Sequence, residues 1–140
     1  CNTYDLLVAL MVESLHLGVA PEIEGWRIGM IHSLEGQFRP TEQLQAYFPE
    51  PVDIMIAGHT HQERLEHREG VTLINSGSIT FPHHKELRMG TVGLLELKPG
   101  WMKTEIMLLG ETHGSPNPCE AMSIEIEMNG AGPQIISQTP

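Results

Sequence analysis

Apolar positions along this chain gather into short runs separated by turn residues, and the runs predict a series of strands with few helices. After Pro21, "WRIGMIHS" reads as a strand ending at His32, followed by a loop, "LEGQFRP". Pro40 opens a short helix over Thr41 to Phe48, which Pro49 and Pro51 close. The near-continuous apolarity of "VDIMIAG" suits a strand covered on both faces. "ERLEHREG" reads as a polar turn, "VTLIN" as a further strand and "NSGSITFPHHKE" as a loop rich in turn residues. "TVGLLELK" and "MKTEIMLL" flank Pro99-Gly100 as a hairpin.

The two ends read differently. At the start, Asn2 or Thr3 caps a predicted helix, Asp5 favours its positive end, Leu6, Leu7, Leu10, Met11 and Leu15 form its apolar face, and Gly18 stops it. Residues 111–140 are dense in Gly and Pro and read as a tail with one edge strand, where Met122, Ile124, Ile126 and Met128 alternate with Ser123, Glu125 and Glu127. Strands interleaved with short helices predict a layered α/β or α+β domain.

Composition sharpens this picture by exclusion. The chain has 140 residues, 40% of them hydrophobic and 19% charged, which is enough for one domain with a genuine core. A formal charge of −10 with scattered Lys and Arg argues against nucleic acid as a general partner. The longest apolar run, Leu6 to Val12, is too short to cross a membrane and lacks a basic leader, so no membrane partner is expected. Cys1 and Cys119 lack the spacing of a zinc knuckle or a disulfide framework, which suits a reducing cytoplasm. Because the first residue is Cys, the expectation is a piece of a longer reading frame in preference to a processed lipoprotein.

Candidate chemistry concentrates in "DIMIAGHTHQERL". His59 and His61 come after an apolar strand and Gly58, and side chains spaced i, i+2 on an extended segment project to one side. Carboxyl ends of strands gather ligands in open α/β sheets, so metal binding and a pair of surface histidines stand equal on spacing alone. His32 also ends a strand and becomes plausible as a third member of a convergent set. His16 and His67 read as solvated, His113 as filler, and His83-His84 either meet an anionic substrate or face water. An H-E-x-x-H helix and a G-x-S-x-G elbow are missing, and an H-x-H-x-D-H run fails because Glu63 and Arg64 stand where Asp and His belong.

Together, "MIHS" at 30–33, "DIMIAGHTH" at 53–61 and "VTLINSGSITFP" at 71–82 resemble the second half of calcineurin-like metallophosphoesterases, in particular small single-domain bacterial and archaeal phosphodiesterases. The resemblance covers about Cys1 to Leu109. It implies a sandwich of two mixed sheets flanked by helices, with residues 1–110 as the carboxyl-terminal half of the domain and 111–140 outside it. It also implies two divalent metal ions, Mn, Fe, Zn or Ni, at strand ends. His32 and His59 would bind one ion and His61 the other, with Asn75 and Ser78 in the supporting turn. His83 stands where members often carry an arginine, which implies a substrate contact. Ser33 and Ser76 depart from the family's His-Gly and Asn-Pro-Gly-Ser.

The implied activity is hydrolysis of a small phosphorylated substrate, a monoester or diester, by metal-activated water. The family draws its carboxylates from D-x-H and G-D motifs, with an Asn in G-N after them. This chain has two aspartates, Asp5 and Asp53, and neither lies in such a motif. "CNTYD" resembles the residues directly after G-N in the subset reading G-N-C-D, with Asn2 for Asp; in a rival register Asn2 is itself the ligand. The expectation is therefore a fragment without its acidic ligands, inactive alone. Two alternatives stand beside it: a non-catalytic interaction module of the same fold, and a histidine-only metal-binding protein. The oligomeric state is left open.

Overall fold

A computed structural model of the chain describes residues 5–6, 18–34, 38–82, 88–112 and 115–140. The apolar runs fold as strands: β1 (Asp5–Leu6), β2 (Glu22–Ile23), β3 (Trp26–Ile31), β4 (Ile54–Ala57), β5 (Glu63–Arg68), β6 (Val71–Ser76), β7 (Thr91–Lys98), β8 (Trp101–Leu108), β9 (Glu111–Thr112), β10 (Ser115–Pro116), β11 (Met122–Asn129) and β12 (Gly132–Thr139). The one helix among the described residues, α1 (Thr41–Gln45), starts directly after Pro40, where a fixed φ costs nothing.

Two five-stranded sheets result. The first runs β2-β3-β4-β6-β5, with β3, β4 and β6 parallel and the flanking strands antiparallel. The second runs β1-β7-β8-β11-β12 and is antiparallel at every described pairing. A small β10-β9 ladder stands apart. The expected sandwich of an α+β domain is what forms, with one mixed sheet and one antiparallel sheet.

Burial explains the apolar patterns. Trp26, Ile28, Ile54 and Ile74 meet Leu95, Leu97, Met102, Ile124 and Ile126 between the sheets. On the outer face of the mixed sheet, Ile31, Met55, Val71 and Leu73 pack with Leu44 and Phe48 around α1. Neighbours Ile54 and Met55 thus enter different cores, which is why that strand is apolar throughout. The Trp26 indole also donates to the Lys98 carbonyl at 3.0 Å and so ties one sheet to the other.

Four expectations need correction. Asp5–Leu6 is a strand paired with Leu95–Glu96 and not the start of a helix; the rest of the expected helix lies outside the described residues. "ERLEHREG" is mostly strand β5, whose six residues pair with β6 from Glu63↔Ser76 to Arg68↔Val71. Its polarity misleads because it is an edge: Leu65 packs on the inter-sheet core while Arg64 and Arg68 pair with Glu66. Glu69 and Gly70, with φ of +50° and +79°, close this hairpin in the double left-handed form that tight hairpins favour.

The region expected as a tail contributes β11 and β12 to the second sheet. β11 is interior, between β8 and β12, and it reads as an edge because one face of an antiparallel sheet meets solvent. His67, expected to be solvated, is half-buried, and its Nδ1 lies 2.9 Å from the Thr72 hydroxyl, which itself reaches Met102 Sδ at 3.9 Å. Burial holds the His67 pKa below its ordinary value.

Ile54 is fully buried between the sheets, whereas Met107 is 39% exposed. In urea denaturation, Ile54→Ala should cost about 3 kcal/mol. Met107→Ala should stay within about 0.5 kcal/mol of the parent.

Candidate functional site

Parallel strands deliver equivalent ends to one edge. The pairings Ile31↔Ala57 and Ile56↔Ile74 set the ends of β3, β4 and β6 side by side, so His32, Gly58–His61 and Gly77–Ser78 emerge together. The Gly58 amide donates to the His32 carbonyl at 3.0 Å, joining the first two segments.

The chain does not stay extended beyond that point. The Thr60 amide donates back to the Gly58 carbonyl at 2.8 Å, closing a three-residue turn around His59. His59 and His61 have φ of +65° and +56°. Left-handed backbone is uncommon outside glycine, and a tight turn of this hand is strained. The expected alternation of an extended segment is thereby corrected: the turn, and not a strand pleat, sets where these imidazoles lie. Gly58, which precedes His59 in the turn, is not left-handed, and a Cβ there would come no nearer than 3.7 Å to the His32 carbonyl.

His32 Nε2 and His59 Nδ1 are 2.9 Å apart, with ring centroids at 4.8 Å in an edge-on arrangement. His61 takes a separate partner. Its Nδ1 lies 2.8 Å from the Phe81 carbonyl, an acceptor only, so Nδ1 carries the proton and the lone pair is on Nε2. The ring stands edge-on to Phe81 at 5.7 Å.

Asn75, 3% exposed, holds the turn from beneath. Its Nδ2 donates to the Gly58 carbonyl at 3.0 Å and to the Thr60 hydroxyl at 2.9 Å, and its Oδ1 accepts from the Gly77 amide at 3.0 Å. Ser78 Oγ accepts from the Phe81 amide at 3.1 Å and so closes the loop whose carbonyl orients His61. His83 lies outside the described residues, as do His16 and His113.

A buried ion pair under this edge is not legible in the sequence. Arg88 reaches both Glu63 oxygens at 3.0 to 3.1 Å, with side chains only 5% and 8% exposed, and the Thr91 hydroxyl lies 2.8 Å from Glu63 Oε1. Burial pushes the Glu63 carboxyl up, but the bonds from Arg88, its own backbone amide and Thr91, with the Arg88 charge, outweigh this and hold it below its ordinary value of 4.5. Gly77 is required beside it. Its φ is +75°, and a Cβ there would fall 2.4 Å from Thr91 Oγ1 and 2.8 Å from Glu63 Oε1. No local pattern announces partners 25 residues apart that both sit in polar-looking segments.

The donor set is mixed in its fit to metal ions. Two nitrogens on one tetrahedral ion at about 2 Å each lie about 3.3 Å apart, so His32 Nε2 and His59 Nδ1 need only a small opening. His61 has the carbonyl-bound tautomer typical of ligating histidine. The acids do not match. Asp53 accepts from the Arg27 amide at 2.8 Å, and Glu63 is committed to Arg88. Among the described residues, no group of three or more His, Cys, Asp or Glu is placed to hold one ion.

Comparison with known proteins gives these arrangements a setting. The sequence model of the calcineurin-like phosphoesterase superfamily domain matches residues 11–100. A protein of Methanothermobacter thermautotrophicus described as a probable metallophosphoesterase is 40% identical over 62 residues, 44% of this chain and 36% of that protein. An uncharacterised Streptococcus pneumoniae protein with a predicted phosphoesterase assignment superposes with a TM-score of 0.55 at 15% identity, over 77% of this chain and 61% of its own. The Vps29 protein of Chaetomium thermophilum gives 0.58 at 14% identity, over 78% and 58%. At such identities the likeness is one of fold. This chain therefore spans 36% of the archaeal relative and about three fifths of each structural neighbour.

This geometry generates two measurements. Glycine relieves left-handed strain that alanine retains, so His59→Gly should be more stable than His59→Ala by about 1 kcal/mol in urea titration. Equal stabilities would show that the turn carries no strain. Glu63→Gln should cost about 3 kcal/mol near pH 7, since it leaves the buried Arg88 charge without its counterion. Because the folded-state pKa of Glu63 is depressed, the ionised pair contributes fully above 4.5 and is lost as pH falls below that value through the folded pKa. The gap between parent and variant should accordingly narrow on acidification.

Proposed function

The chain belongs to the calcineurin-like phosphoesterase superfamily, and from that premise we propose that it carries the histidine side of a dinuclear metal centre for phosphoester hydrolysis. One observation carries the reading: His32 and His59 meet at the carboxyl ends of neighbouring parallel strands, beside a third histidine whose Nδ1 proton is held by a carbonyl. In this proposal His32 and His59 hold one ion and His61 contributes to a second. Imidazole donors suit Mn, Fe, Zn or Ni. Such ions, when bound, polarise a phosphoryl oxygen and acidify a water.

The chain's own residues supply orientation. Asn75 fixes Gly58 and Thr60 on either side of His59, and Ser78 fixes the loop that holds the His61 proton. Exposed Ile79 and Phe81 give the rim an apolar character. The substrate proposed is a small phosphate monoester or diester, since a net charge of −10 opposes polyanions. No helix among the described residues is long and apolar enough to cross a membrane.

The proposal also explains what is missing. A dinuclear centre needs carboxylates to offset two cations, and no described carboxylate is positioned to bridge them. We read the chain as the carboxyl-terminal half of the family's domain, in keeping with the share of its relatives that it spans. On this reading the 140 residues alone bind divalent ions weakly and do not turn over substrate. A second reading, a non-catalytic interaction module of the same fold, is favoured by the direct contact of His32 with His59, which leaves those two nitrogens satisfied by each other.

Calorimetric titration with Mn²⁺ and Zn²⁺, with a bis(p-nitrophenyl) phosphate assay in parallel, separates the readings. Expected are weak binding that falls at least about tenfold in His59→Ala and in Asn75→Ala, and background hydrolysis. Uptake indifferent to both substitutions would favour the interaction module. Strong turnover abolished by His59→Ala would show the acidic ligands to be complete in this chain.

A further inference from the structure

Each sheet of the sandwich has two edges, and their protection is unequal. Edge strands expose unpaired backbone groups, and proteins blunt them by shortness, charge, proline or bulges. Among the described residues β1 and β2 are two residues long, and β5 carries Glu63, Arg64, Glu66 and Arg68. β12 differs on both counts. It is eight residues long and, among the described residues, pairs with β11 alone, and neither it nor the whole stretch 128–140 carries a charged side chain.

Its guards within the strand are Pro133, next to its start, and a bulge; beyond Pro133 no further proline occurs before Pro140. Glu125↔Ser137 is succeeded by Ile126↔Ile135, so Ile136 is the extra residue. The bulge adds apolar surface as well as twist. Ile135 is 42% exposed and Ile136 51% exposed, with Met128 close by in sequence order at the β11–β12 turn and likewise exposed.

We propose that the β12 edge is a self-association surface, occupied by β12 of a second copy of this chain paired antiparallel about a two-fold axis near Ile135 and Ile136. Charge selects a second copy here and disfavours it elsewhere. A chain of net charge −10 repels its copy over most of its surface. Across the proposed junction the nearest acidic strands are β11 and its counterpart, carrying Glu125 and Glu127. They are separated by three strand spacings, about 14 Å, beyond the Debye length of about 8 Å at physiological salt. The neutral strand thus acts as a spacer that lets two acidic molecules join their sheets. Two-fold pairing also closes the interface, since each β12 edge is used once. A single strand pair is small, so the association belongs to the weak, concentration-dependent class.

Sedimentation velocity on the 140-residue chain in EDTA, from about 5 to about 500 μM, reads this directly over the range expected of small interfaces. The weight-average mass should rise from 15.6 kDa towards twice that value. Ile136→Lys sets like charges face to face at the axis and should weaken association at least about tenfold, with an unchanged circular dichroism spectrum. Ser137→Lys, at an exposed position, makes the same test should Ile136→Lys misfold. A chain that stays at 15.6 kDa throughout overturns the proposal, as does association that a lysine at β12 leaves intact or that runs on to open-ended aggregates.

Discussion

The Asn75 carboxamide joins three segments that would otherwise have independent conformations. Its amide protons reach the end of β4 and the hydroxyl within the histidine turn, while its oxygen takes the amide of the residue that opens the next loop. The carboxamide is buried, so any of its own polar atoms left without a partner would have no water to replace it, at a cost of about 1 to 3 kcal/mol. Left-handed His59 lies in the turn it holds and left-handed His61 directly follows that turn, and each such residue stores roughly 1 to 3 kcal/mol. Strain and restraint therefore sit in the same few residues, and neither is intelligible without the other.

Beneath that turn the Glu63–Arg88 pair does a related task with charge in place of amide dipoles. It links the start of β5, two residues past His61, to the segment entering β7 in the opposite sheet. Thr91 contacts both Glu63 and the Ser76 carbonyl, so the turn after β6 is included. The edge bearing the histidines is thus braced against both layers of the sandwich.

Much of this was legible from residue pattern, and the failures have physical causes. "WRIGMI", "DIMIA" and "VTLIN" announce themselves because their side chains enter one core or the other, and the hairpin around Pro99-Gly100 because its turn residues are distinctive. β5 hides because an edge strand tolerates charge on one face and half-burial on the other. β11 is legible as a strand from its alternation, which does not distinguish an edge from an interior antiparallel strand, and β12 hides among Gly and Pro. At the site, the grouping of His32 with His59 can be read from strand ends that the sequence reveals. The left-handed turn cannot, because it is held by Asn75, which sits on another strand and meets Gly58 and Thr60 across 17 and 15 residues of chain.

The parallel pairings carry a kinetic consequence. The β5–β6, β7–β8 and β11–β12 hairpins join residues close in the chain and need little loop-closure entropy to form. The β3–β4 pairing of Ile28 with Ile54 is far less local, and His32 meets His59 across 27 residues. Slow, non-local closure is thus the step that creates the histidine edge, and intermediates built from hairpins alone would present the chain without its site. The candidate centre is a property of non-local pairing, and no single hairpin of the fold contains it.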